Sequence, residues 1–285
     1  MDDALLTAVA AALGAEVVTL AGLSGGDVAA AYRADLDDAR QVFLKTHHDP
    51  PTGFFTTEAT GLRWLRDAGS VPVPEVLAVS DEPPFLALEW IDEGRPIAAT
   101  EADLGRGLAA VHRASAPSFG REDRRTTGSR GLPNEPCETW VEFYATQRLL
   151  PLARLARDGR ALPETAVADL ERVAGRLDEL GGPPEPPARL HGDLWAGNRL
   201  VDREGRSWLI DPAAHGGHRE FDLAMMRLFG GFGAACFEAY DEIHPLAGGW
   251  EARVALHQLA PLVVHAIKFG GGYVASTERA LAQLA

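Results

Sequence analysis

The sequence predicts an α+β fold of two lobes, a small β-rich N-terminal lobe and a larger, mainly helical C-terminal lobe. Short apolar runs separated by turn residues fill the first part of the chain, as is typical of strands. Longer segments with apolar residues at helical spacing fill the rest. The 285 residues suffice for two domains or one large one. We place the boundary after residue 91, which gives lobes of residues 1–91 and 92–285.

The N-terminal lobe is predicted to be a small sheet that carries an inserted helix. A short Ala- and Leu-rich helix ends at Gly14, and a second helix follows the third strand and ends at Gly69. Two prolines in residues 71–74 impose an extended connection to the last two strands. The predicted helices are 4–13 and 57–68, and the predicted strands are 17–21, 28–36, 41–46, 76–79 and 85–90. A hinge to the second lobe is expected at residues 89–94.

The C-terminal lobe is predicted to hold five helical segments and a few short strands. Apolar periodicity places the helices at 102–114, 137–158, 164–180, 220–229 and 252–269. Short apolar runs around Leu190, Leu200 and Leu209 are expected to form small strands between helices. Residues 116–136, rich in Arg, Gly and Pro, are predicted to form a long loop, and loops of this length are often functional.

Composition excludes several classes of partner. The formal net charge is −14, so nucleic-acid phosphates and anionic lipid would repel the protein. No signal peptide or membrane-spanning run is expected from the acidic start and the short apolar stretches. Two cysteines, Cys137 and Cys236, are too few for a disulfide framework, and we interpret both as reduced thiols of a cytoplasmic protein.

The densest chemical signal is the run His-Gly-Asp-Leu-Trp-Ala-Gly-Asn at residues 191–198. Asn198 follows Asp193 by five residues, and Asp211 follows after a short apolar run. Phosphoryl transfer uses such a set, in which one Asp orients and deprotonates an attacking hydroxyl group. The Asn amide oxygen and the second carboxylate are ligands that suit Mg²⁺. An Asp- and Asn-rich turn between strands is the structural alternative.

Three features of the N-terminal lobe fit the same chemistry, and each has a plainer explanation when taken alone. Lys45 lies late in an apolar strand, where its ammonium can contact phosphates, although a strand lysine is more often a solvated edge residue. Glu58 is predicted to open the next helix and to pair with Lys45, although a first-turn glutamate also suits the helix dipole. Ser24, in a turn of small residues, is expected to lie over the phosphates or to form an ordinary hairpin.

Taken together, the motifs resemble the fructosamine kinase (ketosamine kinase) family, which shares the protein-kinase-like fold with aminoglycoside phosphotransferases and choline kinases. The matching segments are 43–45, 55–58, 73–74, 89–91, 104–105, 108–112, 191–198, 211–213, 217–220, 222–225, 269–270 and 272–273, nearly end to end. The Leu-Trp-Ala-Gly-Asn continuation after Asp193 and the later Gly-His-Arg-Glu-x-Asp-Leu-Ala segment favour fructosamine kinases over their relatives.

This resemblance implies a bilobal protein-kinase-like fold and an enzyme that uses ATP and Mg²⁺. The γ-phosphoryl group would pass to the 3-hydroxyl group of a ketoamine sugar such as a fructosamine or ribulosamine. The implied site residues are Asp193 as catalytic base, Asn198 and Asp211 on Mg²⁺, Lys45 and Glu58 as the ion pair that positions the phosphates, and Glu89, Trp90 and Ile91 as backbone contacts of the adenine.

The acceptor side is expected to involve Trp195 and His265. Trp195 lies two residues after the proposed base, where an indole face can pack against the C–H face of a sugar. A core tryptophan that supports the loop is the alternative. His265 belongs to a late segment, 264–269, that departs from the family pattern, as does His215. Whether the sugar is carried by a free amino acid, a small metabolite or a protein lysine stays open, as does the oligomeric state.

Two other functions remain as alternatives. An aminoglycoside- or choline-type hydroxyl phosphotransferase shares the His-Gly-Asp motif, although the Trp195 motif argues against it. A catalytically silent nucleotide-binding scaffold shares the fold, but such a protein usually lacks the base, the metal ligands or the lysine, and all of them are present here. A hydrolase elbow at residues 22–26 lacks the required strand–turn–helix context.

Overall fold

The N-terminal part of the chain forms a five-stranded antiparallel sheet with one helix on each face. A computed structural model describes residues 3–23, 29–123 and 131–285. The elements are α1 (Asp3–Leu13), β1 (Val17–Leu23), β2 (Ala30–Leu36), β3 (Gln41–Thr46), α2 (Phe54–Arg66), β4 (Val76–Asp81) and β5 (Pro84–Glu89). The strand order is β1-β2-β3-β5-β4, so β3 is central.

Strand β3 sorts its side chains between the two faces by simple alternation. Leu44 packs with Leu5 and Val9 of α1 on one face. Phe43 instead joins the apolar cluster around α2 on the other face. Lys45 has the same parity as Phe43, so the pleat directs its side chain towards α2. This register places the single polar residue of the strand interior at the cleft beside the second half of the chain.

The C-terminal part is mainly helical and carries two small two-stranded sheets, β6 with β9 and β7 with β8. Its elements are α3 (Thr100–Arg113), α4 (Trp140–Tyr144), a π-helical turn (Ala145–Leu149), α5 (Leu150–Asp158), α6 (Glu164–Ala174), α7 (Leu177–Leu180), β6 (Ala188–Leu190), a 3₁₀ turn (Ala196–Asn198), β7 (Arg199–Val201), β8 (Ser207–Leu209), β9 (His215–Gly217), α8 (Glu220–Phe229), α9 (Ala234–Ile243), α10 (Trp250–Phe269) and α11 (Gly272–Ala282). None of the helices in the described ranges has both the length and the apolar character needed to cross a bilayer.

One apolar cluster joins the two parts of the chain. Leu62 and Leu65 of α2 are fully buried in a cluster that also contains Leu108 of α3 and Leu223 of α8. The backbone N–H of Leu209 donates to the carbonyl of Pro72 at 2.9 Å, and this hydrogen bond also connects the two parts of the chain. Helix α2 is therefore anchored on the C-terminal helices as well as on its own sheet. The division after residue 91 remains a prediction.

Several predicted boundaries are wrong, with identifiable causes. Helix α2 begins at Phe54, three residues before its predicted start, so Glu58 lies in its second turn and is not a first-turn residue. The predicted helix 137–158 begins at Trp140 and contains a π-helical turn. The predicted helix 164–180 breaks at Gly175, a poor helix former. Helices α9 and α11 were not predicted, because the glycine-rich segments that precede both are poor helix formers. The predicted turn at Ser24 lies outside the described residues.

Close packing of α3 against α9 gives the first test. A Cβ at Gly105 of α3 would lie 2.0 Å from the carbonyl oxygen of Cys236, a backbone atom that cannot step aside. We expect Gly105→Ala to lower the free energy of unfolding by about 1–3 kcal/mol, as overpacking does. Urea denaturation measures the change. Gly248→Ala is the control, because nothing lies within 4 Å of a Cβ there. Equal stability of the two variants would show that α3 and α9 can move apart to accommodate the added methyl group at little cost in free energy.

Candidate active site

The loop after β6 is held rigidly by a buried histidine. His191 accepts the backbone N–H of Asp193 at Nδ1 (3.3 Å), and its Nε2 lies 2.9 Å from the carbonyl of Ile210, to which it donates in the corresponding tautomer. Gly192 has φ +81°, and a Cβ there would lie 2.2 Å from the carbonyl oxygen of Ala213. Only glycine fits that backbone and that gap. The His-Gly pair thus fixes the direction in which Asp193 leaves the loop.

Asp222 of α8 is the second support of this loop. One carboxylate oxygen accepts the N–H of His191 at 2.7 Å, and the other accepts the N–H of Gly192 at 2.9 Å. Nε2 of His112 lies 3.3 Å from the same carboxylate, and Nδ1 of His112 lies 2.8 Å from the hydroxyl of Tyr240. Burial alone would raise the pKa of Asp222, but these partners hold it below its ordinary value. Asp222 is not among the predicted site residues, although its Asp-Leu-Ala motif stands in the sequence.

Asp193 is half-buried and lines a cavity of about 1300 Å³. The amide of Asn198, at the end of the 3₁₀ turn, donates to the backbone carbonyl of Asp193 at 2.8 Å and to its carboxylate at 3.1 Å. Burial raises the pKa of Asp193 to about 6, the carboxylates of Asp211 and Asp222 add to that rise, and the Asn198 hydrogen bond opposes it. A carboxylate with this pKa suits proton transfer near neutral pH.

Lys45 is buried between two carboxylates, one from each half of the chain. Its ammonium lies 2.8 Å from Oε1 of Glu58 and also contacts Oδ1 of Asp211. Burial alone would lower the pKa of Lys45, but the two carboxylates raise it above its ordinary value. The predicted Lys45–Glu58 pair is present, and the contact of Lys45 with Asp211 was not foreseen.

Asp211 follows β8 with φ +53°, an uncommon conformation for a residue with a side chain. Its carboxylate is 43% exposed and faces the same cavity as Asn198 and Asp193. Because the Asn198 amide nitrogen is engaged with Asp193, its carbonyl oxygen is the atom left for a ligand. Together these residues offer oxygen donors of the kind that Mg²⁺ takes, and the residues present fit that ion.

The connection after β5 also borders the cavity. Glu89, Trp90 and Ile91 all line it. The Glu89 carboxylate turns away, since it accepts the N–H of Glu75 at 3.1 Å and lies 3.5 Å from Arg66. Side-chain recognition by Glu89 is therefore excluded in this arrangement, and the backbone of the segment remains for a planar ligand. Ser24 lies outside the described residues.

An aromatic group borders the cavity near Asp193. Trp195 is 40% exposed, which removes the core-tryptophan alternative. Its ring lies edge-on to Phe229, with centroids 6.1 Å apart, and Phe229 lies 5.2 Å from His265. His265 is fixed by its Nδ1, 2.7 Å from the carbonyl of Pro261. Phe229 thus bridges the two predicted acceptor residues and was missed, because its position at the end of α8, just before Gly230, gave no signal.

Comparison with known proteins agrees with this geometry. A family model described as fructosamine kinase matches residues 1–285. A protein of Enterococcus faecium assigned as a ketoamine kinase is 34% identical over 258 residues, which cover 90% of this chain and 92% of that protein. The chloroplastic protein-ribulosamine 3-kinase of Arabidopsis thaliana is 31% identical over 271 residues, 92% of this chain and 81% of that protein.

Solved structures give the same result for the fold. A protein of Thermobifida fusca assigned as a fructosamine-3-kinase superposes with a TM-score of 0.89 at 43% identity and covers 99% of both chains. The choline kinase LicA of Streptococcus pneumoniae, only 16% identical, has a TM-score of 0.63 over 99% of this chain and 97% of that one, a likeness of fold alone. The predicted kinase-like α+β fold is confirmed.

The pKa of Asp193 predicts the acid limb of the activity profile. A protonated carboxyl cannot accept a proton, and its pKa is raised to about 6, so activity is lost as pH falls through about 6. We expect kcat/KM for MgATP, which reports groups of the free enzyme, to fall about tenfold per pH unit below that point. Asp193→Asn is expected to lose at least about 10²-fold in kcat and to show no such limb. A wild-type profile that stays flat to pH 5 would contradict the assignment.

Removing Lys45 should affect nucleotide use and stability separately. Lys45→Met is expected to raise the nucleotide KM about tenfold or more and to destabilise the protein, because it leaves the Glu58 carboxylate buried without its partner. The double variant Lys45→Met/Glu58→Gln removes both charges, so thermal stability should recover while the KM defect persists. Steady-state kinetics and thermal melts measure both. Full activity in Lys45→Met would leave the lysine as a structural residue only.

Proposed function

The chain belongs to the fructosamine kinase family, and we propose that it transfers the γ-phosphoryl group of ATP to the 3-hydroxyl group of a ketoamine sugar, a fructosamine or a ribulosamine. It is a phosphotransferase that acts on a hydroxyl group. The observation that carries the proposal is the convergence of Asp193, Asn198 and Asp211 on one cavity that has exposed Trp195 beside the base. Ketoamine and ribulosamine kinases among the relatives support the acceptor class.

Asp193 would act on the acceptor hydroxyl. Its carboxylate takes the proton as the hydroxyl oxygen attacks the γ-phosphorus, and the bond from that phosphorus to the β–γ bridging oxygen breaks to release ADP. Asn198 holds the Asp193 carboxylate at 3.1 Å, and His191 and Asp222 fix the backbone beneath it. The base is therefore positioned before substrate arrives, which is the main protein contribution expected for this chemistry.

Asn198 and Asp211 would hold Mg²⁺. The ion would supply charge neutralisation at the phosphate oxygens. Lys45 already neutralises Asp211, so the same ammonium is placed to contact phosphate oxygens when the carboxylate takes a metal. Glu58 keeps the lysine in place throughout.

The acceptor would lie against the aromatic group. The exposed indole of Trp195 offers an apolar face to the C–H face of a sugar, and His265 borders the same space. The ketoamine amine is often cationic, which suits a protein of net charge −14. We also infer a cytoplasmic location, which rests on two buried, unbridged cysteines, Cys137 and Cys236.

A phosphorylation screen tests the acceptor class. We expect ATP consumption with fructose-lysine or ribulose-lysine and little with choline, homoserine or aminoglycosides. Trp195→Ala should cut ketoamine kcat/KM about tenfold or more because the stacking face is lost, and Trp195→Phe, the matched control, should retain most of it. Strong turnover of choline or an aminoglycoside with none of ketoamines would overturn the proposal. No turnover of any acceptor, with nucleotide still bound, would favour a silent scaffold.

A further inference from the structure

Arg148 is a buried cation that has no acidic partner among the described residues. Three arginines are buried among the described residues, and two are paired, Arg219 with Glu185 at 2.7 Å and Arg253 with Glu220. Arg148, 4% exposed, forms no salt bridge within the described part of the chain. All three of its hydrogen-bond acceptors are neutral oxygens, the carbonyls of Pro133 and Gln147 and the side-chain oxygen of Asn134.

The π-helical turn explains how this arginine is held. Pro151 has no N–H to donate, so the carbonyl of Gln147, four residues earlier, loses its helical partner. Nη1 of Arg148 donates to that carbonyl at 2.9 Å, while the N–H of Leu150 reaches back five residues to Ala145. Turns of this kind are frequent at functional sites, because they re-aim a side chain within a helix.

The guanidinium borders the same cavity as Asp193. It lies 4.6 Å above the ring of Phe143, which is 5.5 Å from the ring of His215. His215 in turn abuts the catalytic loop, since a Cβ at Gly192 would lie 3.0 Å from its Nδ1. Arg148 is thus connected to the loop that carries the proposed base through the tilted rings of Phe143 and His215. Arg148 lines this cavity together with Trp195 and His265, the residues proposed to contact the acceptor.

In the described part of the chain, no acidic group offsets the positive charge of Arg148. Burial lowers the pKa of Arg148 to about 10, which still leaves it protonated at neutral pH. Burial, and then the nearby Arg148 charge, lower the pKa of His215 to about 3, so His215 stays neutral. An unpaired buried charge costs several kcal/mol unless a counter-charge arrives. The three hydrogen bonds of Arg148 to described residues use three of its five N–H groups, and two donors suit a carboxylate.

We propose that Arg148 binds a carboxylate of the acceptor, so that the preferred acceptors are ketoamines of free amino acids and not of protein lysines. This inference rests on the proposed function. The charge of the Arg148 guanidinium matches that of a monoanion, whereas the charge of a phosphate dianion would exceed it in a strongly acidic protein. Lys268, at the exposed end of α10 and 4.8 Å from the Phe269 ring, is the competing cation of the cavity.

The test compares two acceptors that differ only in charge, fructosyl-glycine and fructosyl-glycinamide. We expect the wild type to favour the carboxylate in kcat/KM by about tenfold or more, mainly through KM. Arg148→Gln should abolish the preference for the carboxylate, while its kcat/KM for the carboxamide stays within about twofold of the wild-type value. Arg148→Lys should retain part of the preference. Fructosyl-glycine 6-phosphate is the third acceptor.

Each other outcome has a defined meaning. An equal kcat/KM for the two acceptors in the wild type overturns the inference even if no Arg148 variant folds. Equal losses for both acceptors in Arg148→Gln would assign the arginine a purely structural role. Loss of the preference in Lys268→Met but not in Arg148→Gln would move the site to the lysine. A preference for the phosphorylated acceptor would overturn the carboxylate assignment. Turnover of the carboxamide alone keeps the proposed function, and turnover of neither ketoamine overturns both.

Discussion

The active site depends on the two hydrogen bonds that the Asp222 carboxylate accepts from the backbone of His191 and Gly192. Two buried N–H groups at the start of the loop would otherwise lack partners, a penalty of about 1–3 kcal/mol each. The same carboxylate is held from behind by His112. Since Asp193 is the next residue, the position of the base follows from a contact between α8 and the loop and not from any contact of the base itself.

Charge is arranged around the cavity in matched and unmatched groups. Near the proposed phosphate site, Lys45 is paired with both Glu58 and Asp211, so these ion pairs join the two halves of the chain. Near the proposed acceptor site, the residues that the structure describes give Arg148 neutral hydrogen-bond partners only. Lys45 and Arg148 differ in this respect. Because burial is costly for a charge that lacks a counter-charge, a buried charge without an acidic partner indicates a site for a ligand of opposite charge.

Sequence patterns predicted the reacting groups better than the supports. The spacing of Asp193, Asn198 and Asp211 predicted that they converge, and all three do line one cavity. The position of Glu58 in the helix after the Lys45 strand indicated their pair, which is present. The supports are contacts between distant segments: Asp222 reaches a loop thirty residues earlier, and no local pattern encodes that distance. The π-helical turn at Arg148 depends on Pro151, which a search for apolar periodicity does not weigh.

The packing of α2 has a consequence for control. In a kinase whose glutamate of this pair lies on a loosely packed helix, movement of that helix breaks the lysine–glutamate pair and inactivates the enzyme. Here Leu62 and Leu65 of the same helix are embedded among side chains of α3 and α8. Moving Glu58 away from Lys45 would expose this apolar surface, at about 25 cal/mol per Å². Such an enzyme is built to be permanently competent, so its output follows the supply of acceptor and nucleotide.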